Sequence, residues 1–544
     1  MAETTDVCVV GSGFGGSILA YYLAHAGQRV VVLERGPRRR DASLQVPLRS
    51  RDLLEVTHTF NGDGIVILVG SAVGGGSLVY SGASLRAPSF VFEREEGGSR
   101  VWPRVLNRRS LSPFYLRAEQ GLGVHQLGFE EVAKRGGTWA QRMNGLGYRV
   151  EPMRQATTHC VHCGFCNTGC RFHRKNHLTM NYLLGAERAG AEVRPLTEVT
   201  TIQPADGGYR VTYGPTDRSN LINPQAPNPG STREIQARRV VVAGGTIGTA
   251  GLLLRSRRYL PNLSGELGRH LSGNGDLALM AILPRRRGLA GGGRVRQHQG
   301  VAMDTVCYEF LERHGFAIIT QHELSLATVV NGAPRSGQWW GLDKKHAMRR
   351  YGDQMIGLAV IGVDGSPGRV EVAGGSPDEL RLTPAFGVSA IDYPFDPETR
   401  RLFGDARGIV GDLVRRMGGE LLDLTLNPSP SYPETAYSAH PLGTARMSDT
   451  PALGVVNADG EVHGHPGLYV VDGAAVPTAL GVNPSLTIAA LAERAADRLV
   501  RRLGRQPAAP PLSNPYVRRR RGETGAGLRP RRRRRRRKPR PERA

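Results

Sequence analysis

The 544-residue sequence predicts an α/β chain, α+β overall: a Rossmann-like parallel sheet flanked by helices, joined to a mainly antiparallel second domain. Three observations carry this. The apolar run Val7 to Val10 breaks into Gly11-x-Gly13-x-x-Gly16 and passes at once into a helical pattern. Arg239-Val-Val-Val-Ala-Gly-Gly-Thr-Ile-Gly-Thr later repeats the same order of buried strand, glycine turn and helix. Between about 275 and 430 the texture changes to strand-like runs, such as Phe316 to Thr320 and Ile356 to Val363, separated by Gly-, Pro- and charge-rich turns.

The opening segment is the most informative. Ile18, Leu19, Tyr22, Leu23 and Ala26 share one helical face, Gly27 ends the helix, and a second apolar strand, Val30 to Leu33, leads into Glu34. Gly11 permits the tight turn, Gly13 lets backbone approach a pyrophosphate, and Gly16 lets helix and strand pack closely; an acidic group at the position of Glu34 meets a ribose hydroxyl. An adenine dinucleotide, FAD or NAD, is therefore expected. NADP fits less well, because its 2′-phosphate wants an arginine, although Arg35 is adjacent.

Next along the chain, Ile65 to Gly70 leads into Gly74-Gly-Gly-Ser77, a loop where backbone can lie against a flat ligand. Residues 99–150 read as helices and loops, including a helix from Leu111 to Leu122 entered through Ser112-Pro113. A helix over Asn181 to Ala189, a strand around 192–194 and a strand-and-turn segment from Glu198 to Tyr213 follow, and 219–231 reads as an exposed loop. Beyond the second domain come a helix from Pro397 to Met417, a strand near Gly467 to Gly473, and a closing helix from Ser485 to Leu503 with Ile488, Leu491, Ala492, Ala495 and Ala496 on one face.

Composition excludes some classes. No run approaches ~18 apolar residues, so no spanning helix is expected. Met1-Ala-Glu-Thr-Thr-Asp lacks the pattern of an export signal, which makes the cytoplasm the expected compartment. The net charge of +24 is mostly terminal: from Arg501 onward there are 18 Lys/Arg against 2 Asp/Glu. Residues 506–544, with the basic run Arg531 to Lys538, are expected to be a disordered tail with weak, non-specific attraction to membrane surfaces. No interleaved aromatics support specific nucleic-acid recognition.

Four segments in order resemble the glucose–methanol–choline (GMC) flavoprotein oxidoreductases, most closely their cholesterol-oxidase-like branch: the opening glycine motif, Gly74-Gly-Gly-Ser-Leu-Val-Tyr80, His440-Pro-Leu-Gly-Thr444, and Asp472-Gly-Ala-Ala-Val-Pro477 through Asn483-Pro-Ser-Leu-Thr487. The resemblance implies FAD and oxidation of a CH–OH group by hydride transfer to flavin N5. It places Gly11, Gly13, Phe14, Gly15, Gly16 and Glu34 on the ADP half, Gly75, Gly76 and Ser77 along the flavin, and Val199 at the adenine. Asp472 and Gly473 fall at the ribityl-phosphate region, with Asn483 and Pro484 at the ring. His440 and Asn483 become the catalytic pair: a neutral imidazole deprotonates a hydroxyl near neutral pH, and an amide N–H supports the oxygen without adding charge. The substrate implied is a sterol or other bulky apolar alcohol, with oxygen or an external electron acceptor as oxidant. Cholesterol oxidases add a glutamate from the substrate domain, for which Glu323 is a candidate. On this reading the FAD-binding domain comprises 1–98, 155–272 and 433–505, a helical cap or linker 99–154, and the substrate-binding domain 273–432.

Cys160-x2-Cys163-x2-Cys166-x3-Cys170 holds four of the six cysteines at the spacing of ferredoxin ligands. An iron–sulfur cluster here would make the enzyme a dehydrogenase passing electrons through the loop. The neighbouring His159, His162, His173 and His177 suit zinc instead, and free thiols packing a loop near the flavin are the third alternative. A remaining reading from another class is a nucleic-acid- or membrane-surface protein that works through its tail, with a vestigial flavin site.

Overall fold

The computed structural model describes residues 3–39, 56–216, 231–284, 295, 299–322, 341–342, 345–346, 352–372, 390–423 and 434–516. Glu323, the loop at 219–230 and the tail from 517 onward lie outside the described residues.

The seven-stranded sheet runs in the order Glu192–Arg194, Val30–Leu33, Glu3–Val10, Arg233–Val242, Gly208–Pro215, Thr197–Ala205, with Leu468–Val470 also paired to Arg233–Val242. The strands around Glu3–Val10 are parallel and in register, Val10 lying opposite both Leu33 and Val242. Val240 to Val242 in turn face Leu468 to Val470 in parallel. The strands thus end along one edge, where an open α/β sheet binds its ligand. The hairpin of Thr197–Ala205 and Gly208–Pro215 is antiparallel and extends the sheet.

The helix Phe14–His25 is more enclosed than a one-sided stripe implies: every residue from Gly15 to Ala24 is buried. It is covered by the helices Tyr182–Arg188 and Ser485–Arg502, and Tyr21 meets Tyr182 edge-on with ring centroids 5.6 Å apart. Three helices sharing one layer leave no solvent face. The closing helix accordingly buries even Glu493, whose carboxylate accepts from the Tyr182 hydroxyl at 2.5 Å and pairs with Arg117 at 3.1 Å.

The second sheet has six antiparallel strands in the order Glu420–Asp423, Leu277–Ile282, Met355–Gly362, Phe316–Gln321, Met303–Cys307, Glu151–Pro152. Its edge strand thus comes from well upstream. The helix Pro397–Arg416 covers this sheet with Leu402, Phe403, Ala406, Val410, Leu413 and Val414, at helical spacing. It starts where the spacing predicts, with Pro397 in its first turn and the Asp396 carboxylate accepting the Thr399 N–H at 2.8 Å. Trp139 and Met143, from Lys134–Asn144, join the same core.

A three-stranded sheet connects the two halves. Thr57–Gly62 and Ile65–Gly70 form a hairpin, and Ala436–Ser438 lies parallel to Ile65–Gly70. This pairing carries His440 to the end of the strand from which the Gly74 loop departs. No helix among the described residues is long and apolar enough to cross a membrane.

Candidate active site

A cavity of about 670 Å³ runs from the edge of the parallel sheet to the face of the antiparallel one. Of the expected residues, Gly11, Gly13, Phe14, Gly15, Glu34, Gly75, Gly76, Val199, Asp472, Gly473, Asn483, Pro484 and His440 all line it. Gly16 and Ser77 stand behind the wall. A Cβ on Gly16 would lie 2.0 Å from the Gly11 carbonyl oxygen, and the Ser77 hydroxyl donates to the Gly74 carbonyl at 2.6 Å and accepts the Leu178 N–H at 3.1 Å.

The glycine segments meet in space. Gly11 takes φ +92°, and a Cβ on Gly75 would fall 2.7 Å from Gly13 Cα, so the two loops form one continuous backbone surface. Ser12 bonds them: its hydroxyl accepts the Gly74 N–H at 2.9 Å and donates to Glu34 Oε2 at 2.6 Å. At Gly13 and Gly76 a Cβ would meet nothing within 4 Å. Bare backbone there faces open space, which suits a pyrophosphate at the helix N-terminus and a flat ring system beyond it. The buried Asn483 Oδ1, which has no hydrogen-bond partner, adds an unsatisfied acceptor at the far end. The residues present fit FAD.

The carboxylates on the wall are already engaged. Glu34 accepts from the Ser12 N–H and the Gly36 N–H, both at 2.8 Å, and burial raises its pKa against those bonds. Asp472 accepts from Gly245 N–H at 2.8 Å, Thr249 Oγ1 at 2.6 Å and Ala474 N–H at 2.8 Å, which ties the strand end to the helix Gly245–Ser256; burial pushes its pKa up to about 6. Arg35, on the same wall, pairs through Nε with the Glu198 carboxylate at 3.0 Å.

At the other end His440 and Asn483 come together as expected, with His440 Nε2 3.2 Å from Asn483 Nδ2. The structure adds a third group that the sequence does not single out. His440 Nδ1 lies 2.8 Å from Asp276 Oδ1 and 2.7 Å from Oδ2. Burial raises the Asp276 pKa, and the histidine opposes that shift. An Asn-Gly-Asp just ahead of an apolar strand reads as a turn, so no local signal marks the acid. The antiparallel sheet lines this end of the cavity largely with apolar side chains, Leu277, Ala278, Met303, Val360 and Ile361, together with the polar Gln321.

The expected metal ligands do not converge. Cys160, Cys163, Cys166 and Cys170 are free thiols, and among the described residues no three His, Cys, Asp or Glu side chains come together as a metal site. The loop is organised around a cation of its own. The buried Lys175 ammonium donates to the carbonyls of Leu78 at 2.8 Å, Tyr80 at 2.9 Å and Cys166. Cys170 Sγ accepts backbone N–H groups of Arg174 at 3.2 Å and Lys175 at 3.3 Å, and burial pushes the Cys160 thiol up to about 12. The loop still borders the cavity, through Asn167.

Known proteins agree with this architecture. The GMC oxidoreductase family models match residues 6–271 and 366–492. The chain is 29% identical to a cholesterol oxidase of Mycobacterium tuberculosis over 95% of each chain, and 26% identical to a long-chain-alcohol oxidase of Arabidopsis thaliana over 91% of this chain and 67% of that one. In fold it is similar to pyridoxine 4-oxidase from Mesorbium loti, with a TM-score of 0.62 at 16% identity over 91% of this chain and 99% of that one. The two family models together span most of the chain, and the chain belongs to the GMC oxidoreductase family.

Proposed function

We propose that the protein oxidises the hydroxyl of a bulky apolar alcohol, a sterol or a long-chain alcohol, to the carbonyl compound. The observation that carries this reading is the His440–Asn483 pair, 3.2 Å apart, in a cavity that is continuous with the glycine cradle and is lined largely by apolar side chains of the antiparallel sheet. The relatives named as cholesterol and long-chain-alcohol oxidases support the substrate class.

In this reading Gly11, Gly13, Phe14, Gly15 and Gly16, with Glu34 and Val199, hold the ADP half of FAD. Gly75, Gly76 and Ser77 shape the flavin wall, Asp472 and Gly473 border the ribityl-phosphate stretch, and Asn483 and Pro484 sit at the ring. Bound flavin supplies the acceptor for the hydride that leaves the carbinol carbon. The chain's own work is to place that carbon, exclude water with apolar side chains, take the hydroxyl proton at His440 Nε2 and support the oxygen with the Asn483 amide. Oxygen or an external acceptor completes the cycle. The arginine-rich tail is left to weak contact with anionic surfaces in the cytoplasm.

The test is anaerobic reduction of the bound flavin, followed by its absorption against sterols, long-chain alcohols and sugars. Apolar alcohols are expected to bleach it. His440→Ala is expected to retain FAD and to slow bleaching by about 10²–10⁴-fold; a loss of only a few-fold overturns the role of His440, and bleaching by sugars alone overturns the substrate class.

A further inference from the structure

Resting on that reading of the site, we infer that Asp276 is a positioning residue: it fixes which nitrogen of His440 carries the proton, and its loop holds that choice in register with Asn483. A carboxylate accepts hydrogen bonds and does not donate them. With Asp276 oxygens 2.7 and 2.8 Å from Nδ1, the His440 proton sits on Nδ1. A neutral imidazole has one N–H, so Nε2 presents its lone pair to the cavity side, where Asn483 Nδ2 donates toward it from 3.2 Å. Nε2 is thereby the nitrogen able to accept a hydroxyl proton, and the adjacent carboxylate stabilises the imidazolium that results.

The loop is built to keep the acid there. Asp276 Oδ2 also accepts the Ala439 N–H at 3.1 Å, one residue before the histidine. Asn274, at φ +56°, donates from Nδ2 to the Val482 carbonyl at 2.9 Å and accepts the Leu480 N–H at 2.7 Å. One short loop thus binds the segment that carries His440 and the segment that carries Asn483. From behind, Asp364 anchors it through the Ser272 hydroxyl at 2.7 Å and the Gly275 N–H at 3.0 Å. Asp364 is the charged neighbour on that side, and His322 and Tyr437 are among the titratable groups that line the same cavity, with Glu34 and Asp472 elsewhere on its wall.

Asp276→Asn tests the idea because an amide has one oxygen where two are needed. The Ala439 N–H competes with His440 for it, and an oxygen turned to Ala439 leaves the amide N–H group facing Nδ1, which selects the Nε2–H form. In ¹⁵N-histidine spectra of the holoenzyme, with the His440 signals assigned by their loss in His440→Ala, the wild type is expected to show Nδ1 protonated and Nε2 bare. Asp276→Asn is expected to reverse this and to slow flavin reduction by about 10²-fold or more. FAD content should be unchanged. Asp276→Glu is expected to restore the wild-type tautomer and part of the rate. An Nε2–H tautomer in the wild type, an unchanged tautomer in Asp276→Asn, or a rate loss that only follows FAD loss overturns the inference. If the tautomers behave as expected while no alcohol reduces the flavin, Asp276 keeps its role and the alcohol-oxidation reading fails.

Discussion

The glycine cradle at the head of the parallel sheet and the cysteine loop at 160–170 carry the two most regular ligand-like spacings in the chain, and they fold to different ends. The cradle acts through backbone. Once a strand, a tight turn and a helix form in that order, bare N–H groups and open space at Gly13 follow from local geometry. A metal site instead needs several side chains aimed at one point, and spacing alone does not aim them. In the 160–170 loop the path of the chain puts the Lys175 ammonium among the carbonyls of Leu78, Tyr80 and Cys166, and the thiols turn to backbone N–H groups or into packing.

This contrast can be broken in three ways. The largest effect is expected at Gly15, where a Cβ would lie 1.4 Å from the Val471 carbonyl oxygen. Gly15→Ala should force the helix off the strand end, cost on the order of 4 kcal/mol or more, and leave little FAD bound; thermal melting and flavin content check it, and near-wild-type values would show that the cradle yields easily.

An intermediate effect is expected from Asp472. Its pKa rises in the fold to about 6 because burial penalises the carboxylate. A carboxyl pKa raised on folding contributes stability that is complete below the unfolded value of about 3.9 and is lost as pH rises through about 6, worth about 3 kcal/mol across that window. Urea unfolding of the apoprotein between pH 4 and 7 should show this fall, and Asp472→Asn should flatten it. Equal slopes in the two proteins would remove Asp472 from the account.

The smallest effect is expected at the cysteines. Dialysis of the holoenzyme against a chelator should leave flavin reduction unchanged, and Cys163→Ser, at a half-buried position, should alter stability by less than about 1 kcal/mol. Stoichiometric iron with chelator-sensitive turnover would erase the contrast between the two loops.

Regular elements with strong periodicity were legible. The helix Pro397–Arg416, the closing helix Ser485–Arg502 and the strand Phe316–Gln321 all lie within a residue or two of where apolar spacing, Pro397 and Ser485 suggest. What spacing missed is packing order. The helix Phe14–His25 carries an apolar stripe, yet it is buried all round because two distant helices close over it. Glu151–Pro152, too short for any pattern, completes the edge of the second sheet.

The sequence by itself determined the dinucleotide-type cradle, the two-sheet architecture and the candidacy of His440 and Asn483, because each depends on local backbone propensity or on a short motif. Only the tertiary structure decided that Asp276 stands 2.7 Å from the histidine, that Ser12 bonds the two glycine loops together, and that the four cysteines form no ligand set. The first two are contacts between residues tens to hundreds of positions apart, and the third follows from the path the loop takes around Lys175. They are set by how sheets and loops stack, and no local pattern encodes them.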